Sequence, residues 1–249
     1  MLRTSSRELN VLPTIVQLQP VADFIVVGEM HGSKQNAPLM QELLGIALAL
    51  QKPVTVAFEW SFSTSELSAL RAYIQGGEIP ALLPTFLLNS DGRFTYEHIL
   101  LIQWIRTYNG IHGNIIDVHT FDDSNNSEER ERAMADSLGA YKKQHSESVV
   151  LVETGNMHAR SLPYIFLGTK HTPMVTHLKK DYTVFSIFLQ YLRGTVLVEG
   201  KSRDVTKAAS QQEGPGAYFD AVVEIPFSET AQEPDDLTTI TKLLHSGPV

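Results

Sequence analysis

Four short runs rich in Val, Ile and Phe constrain the fold of this chain more than any other feature. They are DFIVVGE (23–29), VTVAFEW (54–60), NIIDVHTF (114–121) and SVVLVETG (148–155). Each ends in glycine or polar residues, and each is long enough for a strand buried on both faces. Helical patterns separate them. Segment 34–51 repeats Leu39, Leu43, Ile46, Ala47 and Leu50 at helical spacing. In 63–75 Glu66 stands three residues after Ser63, a capping-box signature. Segment 95–109 carries Ile99, Ile102, Ile105 and Tyr108 at helical spacing, and SEERERAMADSLGAYKK (127–143) runs from acids to lysines, which suits a helix dipole.

Strand and helix in alternation predict an α/β fold: a mixed, mostly parallel central sheet flanked by helices on both faces. YTVFSIFLQ (182–190) and GTVLVEG (194–200) resemble a hairpin, so an antiparallel part of the sheet is expected. The polar stretch 201–217 reads as a loop. YFDAVVEIP (218–226) reads as a further strand. The chain is expected to form a single domain over 1–249. Segment 76–110, interrupted by Pro80 and Pro84, is expected to be a small helical insertion or lid, and 228–249 an acidic, solvated tail.

Parallel α/β sheets bind ligands beyond the carboxyl ends of their strands. Those ends offer Gly28, Glu29 and His31; Glu59 and Trp60; His119, Asp122 and Asp123; and Glu153, Gly155, Asn156 and His158. Carboxylates with imidazoles are the ligand set of a divalent transition metal, and also the means of activating water by general base catalysis. GEMH and GNMH place a histidine three residues after a glycine. With 16 Gly and 9 His, chance gives about 0.6 such matches. A third match, GTKH (168–171), follows SLPYIFL, which reads as a helix end with Gly168 as its cap. Gly28 and Gly155 are expected to let the chain turn sharply at positive φ after each strand. Arg130 and Arg132 lie in the first turn of a helix, where the dipole opposes cations, so a carboxylate in the crevice or an anionic substrate group is expected to favour one of them. Asp122 and Asp123 are alternatively caps of that helix.

The chain carries 20 basic and 28 acidic side chains, net −8, without a dense Lys/Arg cluster, which argues against nucleic acid and anionic membrane as partners. It has no cysteine, which excludes disulfides, thiolate metal sites and cysteine nucleophiles. The first residues lack the apolar core of a secretory signal and no apolar run approaches a membrane span, so a cytoplasmic protein is the default expectation. No G-x-S-x-G elbow, H-E-x-x-H helix, Walker loop or G-x-G-x-x-G is present.

The residues just quoted resemble a known group. VVGEMHGSKQNAPLMQELL and VLVETGNMHAR are similar to the paired glycine–histidine motifs of the erythromycin esterase-like, ChaN-like and TraB/TIKI superfamily. VAFEW resembles its second strand ending in a functional glutamate, RERAMAD its Arg-acid-x-x-Met-Ala helix, and YFDAVVEIP its late strand. The resemblance implies an α/β core with Glu29, His31, Glu59, Arg130 and His158 as catalytic residues. It implies hydrolysis of an ester or amide bond, with a divalent ion (Mn, Co or Zn) on His31, His158 and Glu59 in the metal-dependent members. A non-catalytic haem- or metal-binding protein of the ChaN-like type is the alternative it implies. His119, Asp122, Asn156 and Trp60 are the expected contacts to a small-molecule or peptide substrate.

Overall fold

A computed structural model describes residues 22–78, 92–122, 129–166, 168–198, 201–207, 217–233 and 237–245. The chain builds β1 (Phe24–Glu29), α1 (Asn36–Leu48), β2 (Val54–Phe58), α2 (Thr64–Ile74), α3 (Tyr96–His112), β3 (Ile116–Thr120), α4 (Arg130–Gln144) and β4 (Val149–Gly155). It continues through the short β5 (Tyr164–Phe166) and β6 (Thr169–His171), α5 (Met174–Leu178), β7 (Val184–Tyr191), β8 (Thr195–Val198), β9 (Lys201–Asp204), β10 (Ala221–Ile225) and α6 (Leu237–His245).

Six strands form the central sheet in the order β10-β7-β1-β4-β2-β3, and each of its ladders is parallel. Alternation along the strands loads both faces with apolar side chains. Ile25, Val27, Val54, Val56, Phe58, Val149 and Leu151 meet α1, α2, α3 and α6 on one face. Phe24, Val26, Ala57, Val150 and Val152 meet α4 and α5 on the other. No helix among the described residues is long and apolar enough to cross a membrane.

Two local signals are met directly. The Ser63 side chain accepts from the Glu66 N–H while the Glu66 carboxylate accepts from the Ser63 N–H, closing the capping box that opens α2. α3 ends at Gly113, which adopts φ +90°.

Several expectations are corrected. The 182–190 strand does not pair with 194–200: β7 lies parallel between β1 and β10, and β8 turns away to pair antiparallel with β9. The cause is Gly194 at φ +110°, where a Cβ would fall 2.0 Å from the Ser228 carbonyl oxygen. The chain leaves β7 there and folds over the strand ends instead of returning along the sheet. The first part of the stretch read as a loop therefore contains β9. Within the stretch read as a helix end, Tyr164–Phe166 and Thr169–His171 pair antiparallel as β5 and β6, with Gly168 at φ +81° before β6; residue 167 lies outside the described residues. Of the expected lid, 79–91 lie outside the described residues, and Tyr96–His112 is a core helix with Ile99, Leu101, Ile102 and Ile105 buried. Within the expected tail, α6 buries Ile240 and Leu244, and the Tyr73 hydroxyl donates to the Leu244 carbonyl at 3.0 Å.

Candidate functional site

All six parallel strands end on one edge, and β4 lies between β1 and β2. The residues following β1, β4 and β2 are therefore neighbours there, however far apart in sequence. Glu29 is the last residue of β1 and pairs in register with Gly155 of β4. The Asn156 N–H donates to the Glu29 carbonyl, and the Glu59 N–H donates to the Glu153 carbonyl.

The two glycines of the motifs make room for one another's segments. Neither has the positive φ expected of it; that conformation falls to Gly32, at +79°. A Cβ at Gly28 would lie 2.7 Å from the Ala159 Cβ and 3.1 Å from the Asn156 Cα. A Cβ at Gly155 would lie 3.2 Å from His31 Nε2 and 3.5 Å from His158 Cδ2. Each strand end lacks a side chain where the other motif packs, and the two imidazoles flank the same glycine.

Two carboxylate–imidazole pairs result. His31 Nδ1 meets Glu29 Oε1, while Glu29 Oε2 accepts from the Asn36 amide. Asn36 is held in turn by the Tyr191 hydroxyl, which donates to Asn36 Oδ1 at 2.5 Å. On the other side, His158 Nδ1 lies 2.8 Å from Glu131 Oε1, and Glu131 also accepts from the Tyr164 hydroxyl and the Met174 N–H. Both imidazoles turn Nε2 toward one atom, Glu59 Oε1, at 3.8 Å from His31 and 3.5 Å from His158.

Glu59 is 3% exposed and surrounded by donors. Arg130 Nη2 donates to Oε1 at 2.6 Å, and Arg93 Nε lies 3.2 Å from the same oxygen. The Thr154 hydroxyl and the Gly155 N–H donate to Oε2 at 2.6 and 2.7 Å. Asp122 clamps Arg130 through two parallel bonds of 2.9 and 2.7 Å, the fork geometry that suits a guanidinium. Arg93 Nε also reaches His31 Nε2 at 3.3 Å, and Arg130 Nη1 lies 3.3 Å from His158 Nε2.

These neighbours set the charges. Burial alone would raise the Glu59 carboxyl, but His158, His31 and Arg93 outweigh it and hold Glu59 well below the ordinary carboxylate value. Burial works against a charged His158, yet Glu59 and Glu131 hold its imidazole up at about 10, so it is an imidazolium at neutral pH. Burial also opposes charge on His31; Glu29 overcomes it, and His31 stays above its ordinary 6.5. Glu29 itself is pushed up, first by burial and further by the nearby Glu153 and Glu59, with His31 acting against them. Glu29 and His31 are thus raised together, in direct contact through Oε1 and Nδ1.

The cluster gathers Glu29, His31, Glu59, Arg130, His158 and Asp122, as the sequence predicts. Other expected contacts take structural places. Trp60 is buried, stacks on Phe58 at 4.0 Å and donates from Nε1 to the Arg93 carbonyl, so it supports Arg93. Asn156 is buried in the turn after β4, its Nδ2 without a hydrogen-bond partner among the described residues. His119 stands apart: it bonds Ser137 at 3.3 Å and stacks on Tyr141, because its position on β3 turns it toward α4. Arg132 forms an exposed pair with Asp136 at 3.7 Å, leaving Arg130 as the arginine of the crevice. Asp123 lies outside the described residues.

The expected metal site does not form. Among the described residues no three His, Asp or Glu side chains are arranged to hold a metal ion. Arg130 and Arg93 occupy the Glu59 oxygen that a dication would need, and each guanidinium also stands 3.3 Å from one of the Nε2 atoms that would bind it. The donor set suits a site built on fixed cations and not on a metal ion.

Four participants escape the sequence reading. Glu131 is the acid of the Arg-acid-x-x-Met-Ala resemblance, but it sits in the first turn of α4, where any acid is favoured by the dipole, so nothing in the sequence marks it as the partner of His158. Arg93 follows an aperiodic stretch, and Asn36 reads as an ordinary helix start. His98 reads as one more position of α3, although its Nε2 lies 3.2 and 3.3 Å from the two oxygens of the buried Glu153.

No family model matches the chain, and no curated protein matches it. Solved structures do. A succinoglycan biosynthesis protein aligns at TM-score 0.67 and 12% identity, over 92% of this chain and 94% of that one. A Bacillus cereus protein aligns at TM-score 0.59 and 13% identity, over 91% and 96%. ChaN of Campylobacter jejuni, solved with cofacially bound haem, aligns at TM-score 0.42 and 14% identity, over 77% and 89%. At these identities the first two likenesses establish that the chain shares its whole α/β fold with proteins of similar length.

Proposed function

We propose that the strand-end cluster hydrolyses an ester or amide bond with water activated by the Glu29–His31 pair. The observation that carries this reading is the convergence of two carboxylate-oriented imidazoles on one glutamate oxygen between two guanidiniums. Glu29 fixes the His31 ring so that Nε2 faces the crevice and takes a proton from water. The hydroxide equivalent attacks the carbonyl carbon. Arg93 and Arg130 meet the negative charge that develops on the carbonyl oxygen. The His158 imidazolium donates a proton to the departing alcohol or amine, and Glu131 holds that ring in place. Glu59, anionic and rigidly bonded, keeps the two rings and two guanidiniums together. His31 is the part of the cluster most open to solvent with Arg93 and Arg130, its side chain 24% exposed, so substrate approaches from that side.

Haem binding is the competing reading suggested by the sequence. The ring nitrogens of His31 and His158 all face protein groups, so an iron would have to displace one of them. The test is a panel of p-nitrophenyl esters and peptide amides assayed with wild type, His31→Ala and His158→Gln, beside a haemin titration. Hydrolysis lost in His31→Ala and reduced in His158→Gln is the expected result. Equal rates in all three proteins, or a Soret shift that disappears in His31→Ala without any hydrolysis, would overturn it.

A further inference from the structure

Within the strand-end cluster lies a small cavity lined by Glu29, His31, Asn36, Glu59, Arg93, His98 and Glu153, with Phe58 and Trp60 on its apolar side. About 10 Å³ of it is accessible to a water molecule, which is room for one. Its wall holds an under-satisfied group. Position 153 continues the Val149, Leu151 face of β4, where the neighbouring positions are apolar core. The Glu153 carboxylate is 5% exposed, and among the described residues its two oxygens share a single side-chain donor, His98 Nε2. That donor is fixed: the Thr95 N–H donates to His98 Nδ1 at 3.1 Å, which leaves the ring proton on Nε2. The ring stands edge-on to Phe58 and Trp60 and stacks on Phe94. A buried carboxylate with one shared donor is costly, and buried carboxylates normally accept several. Glu29, with His31 on one oxygen and Asn36 on the other, still has a lone pair on each.

We propose that this cavity is a single-water site in which Glu153 and His98 are positioning residues: at rest the water donates to Glu153 and to Glu29, and for hydrolysis it turns the second hydrogen from Glu29 to His31 Nε2, which takes that proton. Two carboxylates call for an occupant that donates in two directions, and the volume admits nothing larger than water. A hard cation is a poor fit, since the Arg93 guanidinium lines the same cavity and, among the described residues, no three His, Asp or Glu side chains are arranged to hold a metal ion. The catalytic role of the water rests on the hydrolytic reading above, whereas the water site itself does not.

The test combines crystallography with kinetics on the full chain. A wild-type crystal structure should show one peak of water strength within hydrogen-bonding distance of Glu153 and Glu29. Glu153→Leu, which extends the apolar face of β4 into the cavity, should remove that peak. It should also lower kcat for p-nitrophenyl acetate by about ten-fold or more with KM unchanged, a split that loss of a merely structural residue would not produce. Glu153→Gln keeps the bond from His98 and should show the same fall in kcat should the leucine variant fail to fold. A cavity without density in the wild type, a peak too strong for oxygen with contacts under about 2.5 Å, or wild-type kcat in whichever variants fold would overturn the proposal. Absence of hydrolysis on every substrate would remove the hydrolytic reading alone, and the crystallographic peak would still decide the water site.

Discussion

At Gly155 the difference between hydrogen and a methyl group decides how closely His31 and His158 approach the end of β4. Gly155→Ala places a carbon 3.2 Å from His31 Nε2, tighter than an ordinary contact, so the ring must yield by a few tenths of an ångström. The fold should survive, as judged by circular dichroism, while p-nitrophenyl acetate hydrolysis falls by about ten-fold. Arg130 is the residue on which the charge balance turns. Arg130→Ala leaves Glu59 and Asp122 facing each other without their shared cation and should cost roughly 3 kcal/mol in urea denaturation. Arg130→Lys should recover little of it, because an ammonium cannot bond both Asp122 oxygens and Glu59 at once. The pH–rate profile follows from the two imidazoles. The base must be unprotonated, so the rate rises as His31 loses its proton, above the ordinary 6.5. The acid must be protonated, so the rate falls as His158 titrates near about 10. A profile flat across that range would contradict these assignments.

Among the elements, α2 is defined by a local code and the crevice by a non-local one. Ser63→Ala removes one half of a capping box at an exposed helix start and should lower stability by about 1 kcal/mol, read from the denaturation midpoint, with the rate unchanged. The strands were legible for a similar reason: uninterrupted runs of β-branched residues have few ways to be buried other than as central strands. The misread elements lacked that redundancy. Tyr164–Phe166 and Thr169–His171 are each too short to show a period, so an antiparallel pair passed for a helix end. β7 and β8 looked like partners because they adjoin in sequence. Their separation depends on a contact between Gly194 and Ser228, 34 positions away, which no window on the sequence contains.

For the whole molecule, the half-buried His158 and His119 predict opposite dependences on pH. His158 is raised to about 10, so its contribution to stability is complete below 6.5 and is lost as pH rises toward 10. His119 is lowered to about 4, by burial first and by Arg71 next, so the unfolded chain takes up its proton first as pH falls from 6.5 toward 4 and stability declines there. Glu59 and Glu131, both held below 4.5, add to the loss on the acid side. Thermal unfolding should therefore show greatest stability near pH 6.5, with the alkaline decline weakened in His158→Gln and the acid decline weakened in His119→Phe. The sequence alone determined the alternation of strands and helices, a mostly parallel sheet and the residues standing at its strand ends, because burial period and helix caps are local properties written in consecutive residues. Only the tertiary structure decided that Glu131 orients His158, that Arg93 faces Glu59, that His119 points away, and that Glu153 borders a water-sized cavity. Those outcomes depend on strand order and on distances between residues far apart in the chain, and side-chain chemistry fixes neither until the sheet has assembled.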